Sequence, residues 1–242
     1  MQLDGRVALV TGAGRRIGRA IAEALGGRGM HVAVHYHGSE RGAEETAQAI
    51  AAAGSEPQLF RADLGAAGAA PALVNEVART MGRLDVLVNS AAVMLRTPIG
   101  EVKEADWDAM FALNLRAPFF AAQAAAPHMA AGGAIVNIAD LAAFETWPGY
   151  VPHGISKAGV VQMTRALARV LAPRIRVNAV APGAVLLPEE WDESAAERLA
   201  RTTPLGRLGE PRDVVGAVLY LLDADYVTGQ TLIVDGGRHV RG

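Results

Sequence analysis

Directly after a short apolar run, Val7 to Val10, the chain reads Thr11-Gly12-Ala13-Gly14-Arg15-Arg16-Ile17-Gly18 and then takes up a helical pattern. Glycines let a backbone approach a phosphate closely, and a helix N-terminus favours its negative charge. Strand, glycine-rich turn and helix in that order form the context in which such a loop holds a dinucleotide pyrophosphate. Gly12, Arg15, Arg16, Ile17 and Gly18 are therefore candidate cofactor-binding residues. The second apolar run ends in His35-Tyr36-His37-Gly38-Ser39. A carboxylate there would bind the ribose 2′-hydroxyl of NAD. Basic and hydroxyl groups, with arginines available from the first loop, suit a 2′-phosphate instead. The cofactor inferred is NADP(H), with Arg15, His37 and Ser39 as its contacts. His31, His35 and His37 do not read as a metal site. His31 and His35 alternate with apolar residues along a strand, and no carboxylate stands at ligand spacing beside them.

Such a loop needs a strand before it and a helix after it, and the rest of the chain repeats that unit. Val7–Val10 is followed by a helix over Ile17–Arg28, Val32–Tyr36 by Glu40–Ala53, and Gln58–Arg61 by Ala69–Met81. Leu84–Asn89 leads into a long helical region around Trp107–Met129, and Ala134–Ile138 into Ser156–Leu171. Ile175–Val180 and Thr231–Asp235 complete the strands. Continuous apolar strands alternating with helices indicate a parallel sheet covered on both faces. Right-handed crossovers make it doubly wound. The expected fold class is α/β: a Rossmann-type doubly wound seven-stranded parallel sheet, as a single domain over 1–242. Gly26, Gly27 and Gly29 read as the stop of the first helix. The segment from Leu186 to Thr203 breaks the rhythm with Pro188, Glu189, Glu190, Trp191 and Asp192 leading into a short polar helix. An insertion at the C-terminal end of a sheet strand is the place for a substrate lid, expected around 186–203. A surface helix with a buried Trp191 is the plainer alternative. The stripe Trp107, Phe111, Phe119 and Phe120 reads as helix packing or a subunit interface rather than a substrate box.

Composition limits the remaining chemistry. The 242 residues are 51% hydrophobic and 20% charged, with a formal charge of −2 and no cysteine. A chain of this size buries roughly 70–75% of its unfolded surface. Without cysteine there is no thiol nucleophile, disulfide, Cys-ligated zinc or iron–sulfur cluster. The near-neutral charge gives no case for nucleic acid or an anionic membrane, and no apolar run approaches a membrane span. The first residues lack a basic, apolar leader, so the expected location is cytoplasmic and the expected partner is a small-molecule substrate.

The motifs, taken together, resemble the short-chain dehydrogenase/reductase family over essentially the whole chain. The loop is similar to that family's Thr-Gly-x3-Gly-x-Gly motif, with Arg16 in place of the middle glycine. Asp63-Leu64 resembles the pair that holds the adenine. Asn89-Ser90-Ala91-Ala92 resembles the element after strand four, which adds Asn89 and Ala91 to the cofactor set. Asn114 resembles the helix asparagine of the catalytic tetrad, and Ser156-Lys157-Ala158 carries the active-site lysine, which also holds the nicotinamide ribose. Arg176-Val177-Asn178 with Pro182-Gly183 resembles the strand-six signature, and Asp235-Gly236-Gly237 the C-terminal one. Arg15-Arg16-Ile17-Gly18, His35-Tyr36-His37 and Asp140 look like pteridine reductases and dihydromonapterin reductases. Those enzymes place an aspartate thirteen positions before the catalytic tyrosine, where the wider family has serine. The resemblance also implies a homo-oligomer, a tetramer by analogy.

The chain departs from the family at the tyrosine. Four residues before Lys157 stands His153, and none of the four tyrosines, 36, 150, 220 and 226, occupies that place. Hydride transfer to a C=N or C=O carbon also needs a proton for the heteroatom. His153 shares a helix face with Lys157 one turn away and can donate near neutral pH. Asp140 can carry a proton directly or through water if burial raises its pKa. Tyr150 precedes Lys157 by two turns, but Pro152 argues against a helix continuous back to it. The expected catalytic set is Asn114, Asp140, His153 and Lys157. The expected activity is an NADPH-dependent reductase of a pterin-like substrate. The alternatives are a reductase of 3-oxoacyl thioesters or other small ketones, and an NADP(H)-binding sensor or scaffold.

Overall fold

The structure, a computed structural model, describes residues 1–129, 132–186 and 193–240. The apolar runs form strands β1 (Val7–Val10), β2 (His31–Tyr36), β3 (Pro57–Arg61), β4 (Val86–Asn89), β5 (Gly133–Ile138), β6 (Ile175–Pro182) and β7 (Thr231–Val234). They make one seven-stranded sheet in the order β3-β2-β1-β4-β5-β6-β7. Every pair is parallel; in the register Leu9 stands beside Ala33 on one side and Leu87 on the other. The chain winds outward from β1 to β3 and then returns to start β4 on the other side of β1. The crevice at the C-terminal ends of β1 and β4 is therefore the topological switch point, where α/β sheets bind ligands.

Helices α1 (Arg16–Gly26), α2 (Glu40–Ala52) and α3 (Ala69–Met81) connect the first four strands. α4 (Glu104–Phe111) and α5 (Ala117–Ala125) follow β4, α6 (Val151–Leu171) follows β5, and α7 (Glu193–Thr202) and α8 (Pro211–Asp223) follow β6. Strand side chains alternate between faces. Val7 and Leu9 pack with Val74 and Val77 of α3, Ala121 and Ala125 of α5, and Val160 and Leu167 of α6. Ala8 and Val10 face the other way, against Ile21 and Leu25 of α1 and Val214, Val218 and Leu221 of α8. Each buried Val, Leu or Ile side chain among these contributes roughly 1.5–3 kcal/mol. At the opposite end from the crevice, buried Asp85 accepts the Val7 N–H (2.9 Å) and two bonds from Arg83 (2.7 Å each), tying β1 to β4.

Several elements differ from expectation, each for a physical reason. α6 starts at Val151, not Ser156, with Pro152 in its first turn. A first-turn residue has no intrahelical acceptor for its N–H, so proline is tolerated there. The expected helix over Trp107–Met129 is broken into α4, a π-helical turn over Ala112–Arg116, and α5. The first helix ends at Gly26, and Gly27 is right-handed; the left-handed turn falls at Gly29 (φ +81°). α8 lies outside the expected elements, although its buried positions 214, 217, 218, 221 and 222 carry helical spacing. Of the expected lid, 187–192, including Trp191, lies outside the described residues, and α7 supplies the short polar helix. Trp107, Phe119 and Phe120 are each more than a third exposed, so the aromatic stripe does not pack into this chain's core. Among the described residues no helix is long and apolar enough to cross a membrane, and no cluster of three metal-ligating side chains occurs.

Candidate active site

The glycine loop runs from the end of β1 into α1 and is held from three sides. Thr11 Oγ1 accepts the N–H groups of Ser90 (2.9 Å) and Ala91 (3.1 Å), which joins it to the segment after β4. Gly12 is left-handed (φ +67°), and a Cβ there would lie 2.9 Å from Ala91 Cα. A Cβ on Gly14 would meet Ser39 Oγ at 2.4 Å and Ser39 O at 2.8 Å, and one on Gly18 would meet Gly12 O at 2.3 Å. The loop therefore fits close to its neighbours only because these positions lack side chains, which leaves backbone facing the crevice. Arg15 is extended and exposed at the N-cap of α1. Arg16 is the one non-glycine residue with left-handed φ (+54°) among those described. That conformation costs roughly 1–2 kcal/mol for an L-residue. Its guanidinium donates to Leu186 O (2.5 Å), bridging from the loop to the segment after β6. Ile17 is half-buried against the α1–α8 side of the core.

Apart from Arg15, the expected 2′-phosphate and adenine residues follow the ends of β2 and β3. His37 is exposed, with Nδ1 4.0 Å from Asp63 Oδ1, and Asp63 accepts the Gly65 N–H (2.9 Å). Ser39 begins α2 beside Gly14. Leu64 is a core residue, 5% exposed, so Asp63 is the member of the pair with a side chain available at this corner. Asn89 is buried, donating to Asn137 Oδ1 (2.9 Å), and so braces β4 against β5 beneath the crevice. Ala91 contributes its N–H to Thr11. Pro182 ends β6, and the Gly183 N–H donates to Val234 O (2.9 Å); a Cβ on Gly183 would lie 2.7 Å from Asp235 Cβ.

Asp140, His153 and Lys157 converge past the end of β5. Asp140 caps the short helical turn after that strand, its Oδ1 accepting the Ala142 N–H (2.8 Å). Its Oδ2 lies 3.5 Å from His153 Nε2. The capping role and the pairing with His153 therefore coexist on two oxygens of one carboxylate. That separation meets the ion-pair distance, but neither ring nitrogen of His153 makes a hydrogen bond among the described residues, though the residue is only 2% exposed. A buried polar group left so costs about 1–3 kcal/mol. Lys157 is 4% exposed, and its Nζ donates to Ile138 O (2.8 Å). Burial pushes its ammonium down from 10.5 to about 8, with the Asp140 charge opposing the shift.

Asn114 sits in the π-helical turn, an irregularity frequent at functional sites. Its side chain exchanges two 2.9 Å bonds with the Val93 backbone and donates to Ser156 Oγ (3.1 Å), which donates in turn to His153 O (2.7 Å). The segment after β4, the helix turn and the start of α6 are thereby fixed relative to one another. Tyr150 is placed apart. It precedes the first residue of α6, its ring lies 6.4 Å from Trp147, and it lines a cavity of about 260 Å³ with Trp147, Gly154, Ile155 and Ala158. Asp140, His153 and Lys157 are not on that wall.

Thr11, His35, Asn137 and Ser156 also hold the site and were not foreseen. Apart from the Ser156 bond to His153 O, their partners are distant in sequence, so spacing carries no signal for those contacts.

A glycine cradle at the switch point and a buried lysine beside an unsatisfied imidazole mark a candidate site in a dinucleotide-binding type of α/β fold. Residues 12–239 match the family described as Enoyl-(Acyl carrier protein) reductase. The chain is 38% identical over 240 residues to a 3-oxoacyl-acyl-carrier-protein reductase FabG of Staphylococcus aureus, covering 96% of this chain and 98% of that one. It superimposes with TM-score 0.93 and 35% identity on the angucycline C-6 ketoreductase LanV with bound NADP, covering 99% and 98% of the two chains. A short-chain dehydrogenase/reductase from Serratia marcescens gives TM-score 0.94 at 36% identity, covering 99% and 100%. The chain belongs to the short-chain dehydrogenase/reductase family.

Proposed function

We propose that this protein is an NADP(H)-dependent ketoreductase in which His153 replaces tyrosine as the proton donor. The observation that carries the reading is the buried His153 imidazole, both nitrogens without a hydrogen-bond partner among the described residues, facing Asp140 one turn from Lys157. Similarity to a 3-oxoacyl reductase and to a ketoreductase favours a carbonyl substrate over the pterin-like one expected from Asp140 and the loop motifs.

The residues present fit the cofactor. The loop from Gly12 to Gly18 offers close backbone approach at a helix N-terminus, which suits a pyrophosphate. Arg15, His37 and Ser39 would serve the 2′-phosphate end, and Asp63 the adenine. Asn89, Ala91, Pro182 and Gly183 frame the crevice, and Lys157 would hold the nicotinamide ribose. The bound nicotinamide supplies the hydride.

The protein's own part is the proton. Protonated His153 gives its proton to the substrate oxygen as the C=O carbon becomes tetrahedral, and returns to neutral imidazole. Asp140 Oδ2 steadies the imidazolium, while Oδ1 stays fixed by the Ala142 N–H. The Asp140 side chain is 25% exposed, which connects the buried imidazole to solvent for reprotonation. Lys157, charged below about pH 8, stabilises negative charge developing on the oxygen.

One observation favours a second reading, reduction of C=N in a pterin-like ring: a carboxylate beside the reacting centre suits a cationic or N–H-bearing heterocycle better than an oxyanion. NADPH oxidation measured with acetoacetyl thioesters and with dihydropterins separates the two. Faster turnover of the thioester supports the ketoreductase, faster turnover of the pterin supports the second reading, and NADPH binding without turnover of any ketone rejects the first. The remaining alternative, a sensor or scaffold, requires NADPH binding to alter affinity for a protein partner.

A further inference from the structure

His35 lies on β2, next to β1, and is 2% exposed. Its backbone oxygen accepts the Ala13 N–H (2.8 Å), and its ring Nδ1 accepts the Gly12 N–H (3.0 Å). Two consecutive N–H groups of the glycine loop thus end on one residue. The opposite ring nitrogen, Nε2, lies 3.1 Å from Ala62 O. With Nδ1 accepting, the neutral ring carries its proton on Nε2 and donates it to Ala62. Ala62 directly precedes Asp63, so the imidazole spans from the phosphate loop to the adenine corner. The backbone repeats the link, with the Ala62 N–H donating to Tyr36 O (3.0 Å).

The acceptor role needs an uncharged ring. Burial holds His35 down at about 4, with the Ala62 carbonyl opposing the shift and the His37 charge adding to it, so Nδ1 keeps its lone pair at neutral pH. An apolar side chain of similar size could fill the same volume. It would leave the Gly12 N–H, where the loop approaches Ala91, without a partner.

We propose that His35 is a positioning residue for NADP(H): its imidazole fixes the phosphate loop through Gly12 and ties that loop to the Ala62–Asp63 corner. The proposal rests on the cofactor reading above. It differs from a space-filling role because each ring nitrogen has its own task, and the two tasks can be separated. In His35→Asn the amide oxygen takes the place of Nδ1 and keeps the acceptor for Gly12, losing Ala62. In His35→Gln the amide nitrogen takes the place of Nε2 and keeps the donor to Ala62, losing Gly12.

NADPH affinity is measured by the fluorescence of the bound nucleotide, without substrate. Hydrogen exchange of the peptide spanning 11–14 and the urea midpoint are measured on the same samples. The expected result is an NADPH Kd within about threefold of wild type for His35→Asn, and a Kd about ten- to a hundredfold weaker for His35→Gln. Exchange at the loop is expected to be faster only in His35→Gln. Equal Kd values for the two variants, or a Kd loss that merely follows the urea midpoint, would overturn the proposal while leaving the cofactor reading intact. Wild-type protein that does not bind NADPH would overturn both.

Discussion

Replacing Lys157 with methionine removes a buried ammonium while keeping most of the side-chain volume. The folded protein holds this group at about 8 against an ordinary 10.5. A shift of that size corresponds to about 3 kcal/mol, at 1.36 kcal/mol per pKa unit. Between those two pH values the unfolded chain binds the proton that the folded protein gives up, so stability rises with pH through that window. Below about pH 8 the full cost of charging the buried lysine is present; above 10.5 it is gone. Methionine avoids this cost but loses the 2.8 Å bond to Ile138 O, worth about 1 kcal/mol. Lys157→Met is therefore expected to be more stable than wild type by about 2 kcal/mol at pH 7, and less stable by about 1 kcal/mol at pH 10.5. Urea unfolding of both proteins at the two pH values, at one fixed protein concentration, measures the difference. A gap of the same sign and size at both values would refute the reasoning, because lysine would then not be held charged at a cost. A charge kept in the interior against stability is the pattern expected of a working site.

Two further substitutions test the scaffold. Gly14→Ala places a methyl group 2.4 Å from Ser39 Oγ and 2.8 Å from its carbonyl, so the loop must move away from α2. NADPH affinity should fall by about tenfold or more, as overpacking costs about 1–3 kcal/mol, and an unchanged Kd by nucleotide fluorescence would show that the loop does not need this close approach. Asp85→Ala removes the acceptor for the Val7 N–H and for both Arg83 bonds. It should cost about 2–3 kcal/mol in urea unfolding at pH 7. Burial raises the Asp85 pKa, but the Arg83 and Val7 hydrogen bonds and the Arg83 and Arg6 charges outweigh it and leave it below the ordinary value. Its contribution is thus present at neutral pH and is lost as pH falls through the lowered value, so the gap between variant and wild type should close in acid.

The sheet was readable because its inner strands are buried on both faces, and continuous apolar runs between amphipathic helices admit few other arrangements. Val7–Val10 and its glycine loop pointed to a strand–turn–helix unit suited to a dinucleotide, and the strand order puts that loop at the switch point. The site was readable where one short segment carries its parts, as with His153 and Lys157 on α6. Where its parts come from different elements, the motifs named residues such as Asn114 and Asp140 but not the contacts between them. Nothing in the spacing indicates that His35 accepts the Gly12 N–H, that Asn114 reaches Ser156, or that Asp140 uses one oxygen as a cap and turns the other toward His153. Pro152 correctly argued against a helix continuous back to Tyr150, but proline is tolerated in a first turn, so the helix starts five residues before the expected Ser156. The break at Ala112–Arg116 left no mark in residue type, since a π-helical turn uses ordinary helix formers.

The central claim, that His153 supplies the proton, is tested most directly by His153→Phe. Phenylalanine keeps the ring and the burial and removes both nitrogens. With NADPH and the ketone that wild type turns over fastest, kcat should fall about a hundredfold or more, while the NADPH Kd measured by fluorescence stays within about twofold. A kcat equal to that of wild type would contradict the account.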